Sequence, residues 1–198
     1  MPKYTEVWDI AVVINYVLRL LPNSELTLKE LSLKLVILMA VTNADRASDI
    51  KSLDISTLSY SPEGATFKHK HPKKISRPGY TPDSFYAAYA ANQNICVVRT
   101  IKDYVQRTAD IRVSNRLVIS YIRPHKEVCT STILRWILEV LHNAGIDTSV
   151  FRSHSTRSAT ATAASSRGVS SADIMRSADW TTESTFTRFY YRRLLLLF

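Results

Sequence analysis

Residues 27–53 read TLKELSLKLVILMAVTNADRASDIKSL, and this stretch decides the fold. Thr27 with Glu30 three residues later fits a capping box, in which a hydroxyl and a carboxylate each take up a backbone N–H at a helix start. A helix over about 28–41 is therefore predicted. Its core, LSLKLVILMAV, is apolar on most sides rather than along one stripe, as expected of a helix surrounded by others. Thr42-Asn43-Ala44-Asp45 then breaks the pattern, and a short helix from about Arg46 to Leu53 follows. An arginine thus stands directly at the exit of the most apolar helix in the chain.

Upstream of this stretch, Trp8, Ile10, Ala11, Ile14, Val17 and Leu18 recur at helical spacing, predicting a helix over 5–21 that Pro22 ends. Downstream, residues 54–79 change character. DISTLSY and ATFKH are β-rich runs separated by the turn Ser61-Pro62-Glu63-Gly64, and the basic stretch KHKHPKKISRPG follows. A small antiparallel hairpin or three-stranded sheet with a basic turn is expected there. Further helices are predicted over 82–92, 95–107, 131–144 (capped by Thr130 or Ser131 and closed by Gly145), 154–166, 170–177 and 184–193, with a buried extended segment at Leu117–Tyr121. The Ala, Ser and Thr of 154–166 are small residues that let helices pack closely. The fold class is mainly α with a small antiparallel β-sheet, α+β, in a single domain over 1–198. The hairpin region covers about 54–79 and a C-terminal tail covers 192–198.

The chain has 198 residues, of which 45% are hydrophobic and 22% charged, the balance of a folded protein with a real core. With 26 basic against 17 acidic residues the net charge is +9. The excess is local. Residues 65–80 hold Lys68, Lys70, Lys73, Lys74 and Arg77 and no acid, and residues 149–198 hold seven arginines against three acids. Solvated surface charge is usually mixed in sign, so two windows with a net basic excess point to phosphates, in nucleic acid or at an acidic membrane surface. No apolar run approaches the ~20 residues of a membrane span. The start MPKYTEVWDI lacks a signal-peptide layout. Two cysteines, Cys96 and Cys129, lie far apart, which excludes a disulfide framework and a cysteine-based zinc site and suits the nucleus or cytosol. Four glycines, in neither a P-loop nor a dinucleotide pattern, exclude those nucleotide sites.

Three segments have the residue types for phosphate chemistry. In H154-S-T-R157, His154 and Arg157 are three apart and share one face of a helix start. A phosphodiester there would meet an imidazole, a guanidinium fork and free helix N–H groups together. The plainer reading is a capping histidine beside a surface arginine. Arg46 opens its short helix, and its plainer reading is an ion pair with Asp49. The basic turn around Lys73 and Lys74 reads equally as a solvated edge turn. Late in the chain, Tyr190 and Tyr191 each offer a hydroxyl of the kind that serves as a covalent nucleophile.

Arg46 in R-x-x-D-I-x-x-L, the lysine-bearing hairpin, H154-x-x-R157, Trp180 and Tyr190 follow the order of the tyrosine recombinase, or phage-integrase-like, catalytic domain, and the chain resembles that family along nearly its whole length. It looks closest to the recombinases of eukaryotic mobile elements of the Crypton or DIRS type. Those have a similar S-R-P-G, here Ser76 to Gly79, a similar GIDTSVFRSHSTR, here Gly145 to Arg157, and a similar W-x-x-x-S-T-F-x-x-F-Y, here Trp180 to Tyr190.

The resemblance implies a DNA-cleaving and rejoining enzyme whose tyrosine hydroxyl, Tyr190 by the family order, attacks the scissile phosphate and forms a 3′-phosphotyrosyl link. Arg46 and Arg157 clamp the non-bridging oxygens. His154 hydrogen-bonds the phosphate or takes the Tyr proton. Trp180 stands where many relatives have a second histidine, and Lys74 is the candidate acid for the leaving 5′-oxygen. Lys68, Lys70, Lys73 and Arg77 are the expected DNA contacts. Because the phosphotyrosine conserves the bond energy, neither metal, nucleotide nor other cofactor is expected. Partners would be double-stranded DNA and further protomers on it, with no membrane. Three features depart from the pattern: the usual T-G-x-R turn reads T42-N-A-D-R46, Tyr190 lies one residue further from Trp180 than is common, and an N-terminal core-binding domain is missing from the pattern. A tail of RRLLLLF would dock on a neighbouring protomer or mark a truncation. The competing readings are a non-catalytic DNA-binding domain derived from a recombinase and a type IB topoisomerase-like enzyme.

Overall fold

The structure is a computed structural model that describes residues 6–69, 81–178 and 193–195. At its centre is helix α2, Leu28–Thr42, in which every residue from Leu31 to Val41 is buried. The capping box forms as expected, with Thr27 N–H donating to Glu30 Oε2 at 2.8 Å and Glu30 N–H to Thr27 Oγ1 at 3.3 Å. Helices α4 (Val97–Thr108), α5 (Thr130–Asn143) and α6 (Ser155–Ser166) pack around it, which is why its apolar residues face every side. Burial of Leu35, Val36, Ile37 and Leu38 alone removes side chains worth ~1.5–3 kcal/mol each from water.

The first helix differs from its prediction. Helix α1 spans Ile10–Leu18, and Glu6–Trp8 instead form strand β1. Asp9 decides the boundary: its carboxylate accepts from Ala11 N–H at 2.9 Å, an N-cap role that ends the helix there. Val7 and Trp8 before it are good strand formers. They pair in parallel with strand β5, Arg193–Leu195, in the register Trp8↔Leu195. Arg193, assigned by sequence to the end of a last helix, is therefore extended. The rest of that predicted helix, with Tyr190 and Tyr191, lies outside the described residues. Residues 193–195 of the tail dock on their own chain.

Strands β2 (Leu58–Tyr60), β3 (Gly64–Phe67) and β4 (Ser84–Ala87) form an antiparallel sheet in the order β2-β3-β4. The tight β2–β3 turn holds Gly64, where a Cβ would collide with the Tyr86 carbonyl oxygen. The helix predicted over 82–92 does not form. Ser84 and Tyr86 point inward while Phe85 and Ala87 are exposed, a period of two that fits a strand. The lysine-rich residues consequently belong to the connection between β3 and β4.

Helix α3 covers Ala47–Ser52, and the segment after it is tied to 115–117, with Leu117 N–H donating to the Leu53 carbonyl at 2.8 Å. Leu117, Val118 and Ile119 are buried as expected, but the chain bends at 117 and 118 and forms only isolated bridges, Asp54↔Arg116 and Ile119↔Glu127, in place of an extended run. Cys129 rather than Thr130 or Ser131 precedes α5, whose end is turned by Gly145 at φ +94°. Helix α7, Ser171–Ser177, is capped by Ser170, whose Oγ accepts from Asp173 N–H at 3.1 Å. No described helix is long and apolar enough to cross a membrane.

Candidate active site

The loop between α2 and α3, residues 43–46, is held by three elements, β4, α6 and α3. Asn43 Nδ2 donates to the Phe85 carbonyl of β4 at 2.7 Å. The Ala44 carbonyl accepts from Arg157 Nη1 of α6. Asp45 accepts from the Tyr86 hydroxyl of β4 at 2.5 Å, a short charge-assisted bond between two buried groups. Arg46, the N-cap of α3, is half-buried and pairs with Asp49 Oδ2 at 3.5 Å. The plainer reading of Arg46 as an Asp49 partner therefore holds as geometry, and it also fixes the guanidinium beside the loop.

Arg157 is buried, at 4% exposure, which overturns the reading of a surface arginine. Its Nη2 donates to the Ala178 carbonyl at 3.0 Å, just beyond α7. The guanidinium thus joins α6, the loop before α3 and the end of α7. Small residues make room for it: Ala44, Ala161 and Ala178 form a satellite cluster with Ile174. His154, at the N-cap position of α6, is exposed, and its side chain makes no capping hydrogen bond. Its two neighbours are both anchored. Ser153 Oγ donates to the Leu134 carbonyl of α5 at 2.5 Å, and Ser155 Oγ accepts from Trp8 Nε1 of β1 at 2.8 Å.

The structure thus gathers Arg46 and Arg157, 111 positions apart, around one loop, with His154 one helical turn before Arg157. Lys68 is exposed at the end of β3, where its carbonyl accepts from Thr57 Oγ1 at 2.8 Å. Lys70, Lys73, Lys74, Arg77, Trp180 and Tyr190 lie outside the described residues. Sequence reasoning missed Asn43, Asp45, Tyr86, Trp8 and Ser155. For Asn43 and Asp45 the break TNAD was the signal. Nothing marked Tyr86 or Trp8, whose partners are 41 and 147 positions away. Among the described residues no group of three or more His, Cys, Asp or Glu is placed to hold a metal ion. A cavity of about 300 Å³ between α1, α2 and α5 contains none of the residues above.

Residues 14–194 match the model of the phage integrase family. The chain belongs to this family. Its fold is that of the tyrosine recombinase catalytic domain. Among solved structures it is similar to XerA recombinase, at 17% identity and a TM-score of 0.67, covering 94% of this chain and 59% of that one. It is also similar to XerH site-specific recombinase bound to difH substrate in a pre-cleavage complex, at 13% identity and a TM-score of 0.68, covering 94% and 50%. A third is the FLP recombinase–Holliday junction complex, at 12% identity and a TM-score of 0.56, covering 94% and 47%. The chain thus spans about half to three-fifths of the length of these relatives. A search of curated proteins returned no match.

Proposed function

We propose that this chain cleaves and rejoins DNA strands in site-specific recombination, through a 3′-phosphotyrosyl intermediate. The observation that supports it most is the bond from Arg157 Nη1 to the Ala44 carbonyl, in the loop that ends at Arg46. Two guanidinium groups can meet the two non-bridging oxygens of a phosphodiester and stabilise the charge that grows on them in the transition state.

In this reading the Tyr190 hydroxyl attacks phosphorus, the P–O5′ bond breaks, and a phosphotyrosine forms. Its free pKa is ~10, so it needs a proton acceptor, and exposed His154 is the candidate. Lys74 gives a proton to the leaving 5′-oxygen. The Trp180 indole N–H donates to a phosphate oxygen and cannot act as a base. Rejoining reverses the steps when a 5′-hydroxyl attacks the phosphotyrosine, with no cofactor. Lys68, Lys70, Lys73 and Arg77 contact the DNA backbone. Double-stranded DNA and further copies of the chain are the proposed partners; the XerH structure, bound to difH substrate, and the FLP structure, with a Holliday junction, support the DNA part of this reading. The resemblance of the S-R-P-G, GIDTSVFRSHSTR and WTTESTFTRFY motifs supports a mobile element of the Crypton or DIRS type as the source of the chain, acting in the nucleus if eukaryotic or otherwise in the cytosol.

The test is incubation with nicked or suicide DNA substrates and detection of a covalent adduct on a denaturing gel. Wild type and Tyr191→Phe form it, and Tyr190→Phe binds DNA without forming it. An adduct in Tyr190→Phe but not in Tyr191→Phe moves the role to Tyr191. DNA binding with no adduct in wild type supports the DNA-binding domain instead. Binding should weaken steeply with salt, and joint Ala substitution of Lys73, Lys74 and Arg77 should flatten the slope.

A further inference from the structure

We propose that Trp8 is a positioning residue for His154, acting through Ser155; this rests on the cleavage reading above. The His154 ring makes no hydrogen bond to a described residue, so its direction follows from where its backbone is held. That backbone is bracketed. On one side Ser153 is tied to α5 through the Leu134 carbonyl. On the other side the Trp8 indole N–H donates to Ser155 Oγ at 2.8 Å. Trp8 and Ser155 are both fully buried, so water cannot replace either partner and the bond is costly to break. Ser155 is the first residue of α6, and moving it moves the adjacent imidazole, whereas the Arg157 fork is held separately by the Ala44 and Ala178 carbonyls.

The source of this restraint is also specific. Strand β1 contacts α6 and pairs with β5, in the register Trp8↔Leu195. Strand β5 begins three positions after Tyr190 in sequence. One strand therefore ties the chain next to the nucleophile and the residue next to the histidine. Trp8 sets the histidine's place without touching the reacting atoms.

Two measurements test this. In single-turnover cleavage of nicked DNA at saturating protein, Ser155→Ala and Trp8→Phe each lower the rate about ten- to a hundred-fold, as expected of a catalytic group displaced by an ångström. Their DNA affinity stays at the wild-type level. In a His154→Ala background neither lowers the rate further, because the group they position is gone. An unchanged rate, or a loss that multiplies with that of His154→Ala, overturns the proposal. The second measurement needs no activity. The His154 ring signal in a proton–carbon NMR spectrum, assigned with His154→Gln, moves in Ser155→Ala while those of His125 and His142 stay. A His154 signal that stays, or all three moving together, overturns it. A wild-type chain that forms no adduct defeats the cleavage reading, and the NMR result then judges the positioning by itself.

Discussion

Arg157 and Ala44 are joined across 113 positions of chain, the guanidinium Nη1 donating to the backbone carbonyl two residues before Arg46. With Ala178 O on Nη2, one buried arginine fastens three elements. The two arginines of the candidate site should therefore respond differently to mutation. Arg157→Lys cannot serve both carbonyls and should destabilise the fold by about 2–4 kcal/mol in denaturant unfolding. Arg46→Ala removes a partly exposed ion pair at 3.5 Å and should cost less than about 1 kcal/mol. Both should abolish adduct formation. Equal stability losses would show that the Arg157 fork does not hold the loop.

The Ala44 backbone has φ +51°, a left-handed conformation that suits glycine and strains other residues. This is the position where the T-G-x-R pattern lost its glycine. Ala44→Gly should relieve about 1 kcal/mol of backbone strain and lose about as much from the methyl group buried against Ala161 and Ile174. The melting temperature should barely change. Ala44→Val combines a β-branched side chain with positive φ in a tight pocket, and should destabilise by more than about 2 kcal/mol.

These two residues also show where sequence was legible. The all-round apolar pattern of Leu31–Val41 and the Thr27–Glu30 box are local signals, and α2 follows from them. The HxxR spacing is local too, and it located α6. Arg157 as a loop anchor was not legible, because burial depends on Ala44 and Ala178 arriving from elsewhere. Residues 6–8 and 84–87 were misread for one reason: a short strand takes its identity from a partner far away. β1 needs β5 at the other end of the chain, and β4 needs β3 across the basic connection.

Lys34 is almost fully buried in α2, and its Nζ has no hydrogen-bond partner among the described residues. Burial holds its pKa below the usual lysine value, and the negative charge of Asp103 only partly opposes this. Lys34→Met keeps the length and drops the charge, so it should stabilise the fold at pH 7 by about 1–3 kcal/mol. The sign with pH follows from linkage. Between the lowered native pKa and the ordinary unfolded one, the unfolded state binds more protons, so wild-type stability rises with pH there. The advantage of Lys34→Met should accordingly shrink toward pH 10 in unfolding curves. A variant less stable than wild type at pH 7 would mean that the amine has a favourable partner.

Cys129 also has a marked electrostatic environment. It precedes α5 and is exposed, with Sγ 3.0 Å from Ser131 Oγ and 3.2 Å from Thr132 Oγ1. Hydrogen bonds from these hydroxyls, first Ser131 and then Thr132, stabilise the thiolate and pull the thiol down to about 6. The N–H groups and dipole of a helix start act in the same direction. At pH 7 the thiolate is then the major form. Iodoacetamide should modify Cys129 in the native protein while buried Cys96 stays unmodified, as mass spectrometry of the digested chain will show. The alkylation rate should be level above pH 7 and fall through a midpoint near 6. Ser131→Ala combined with Thr132→Val removes both hydroxyls and should move that midpoint up by about one unit or more, toward the ~8.5 of a free thiol. A wild-type midpoint already at 8.5 would mean that the hydroxyls point their protons elsewhere and give the sulfur no support.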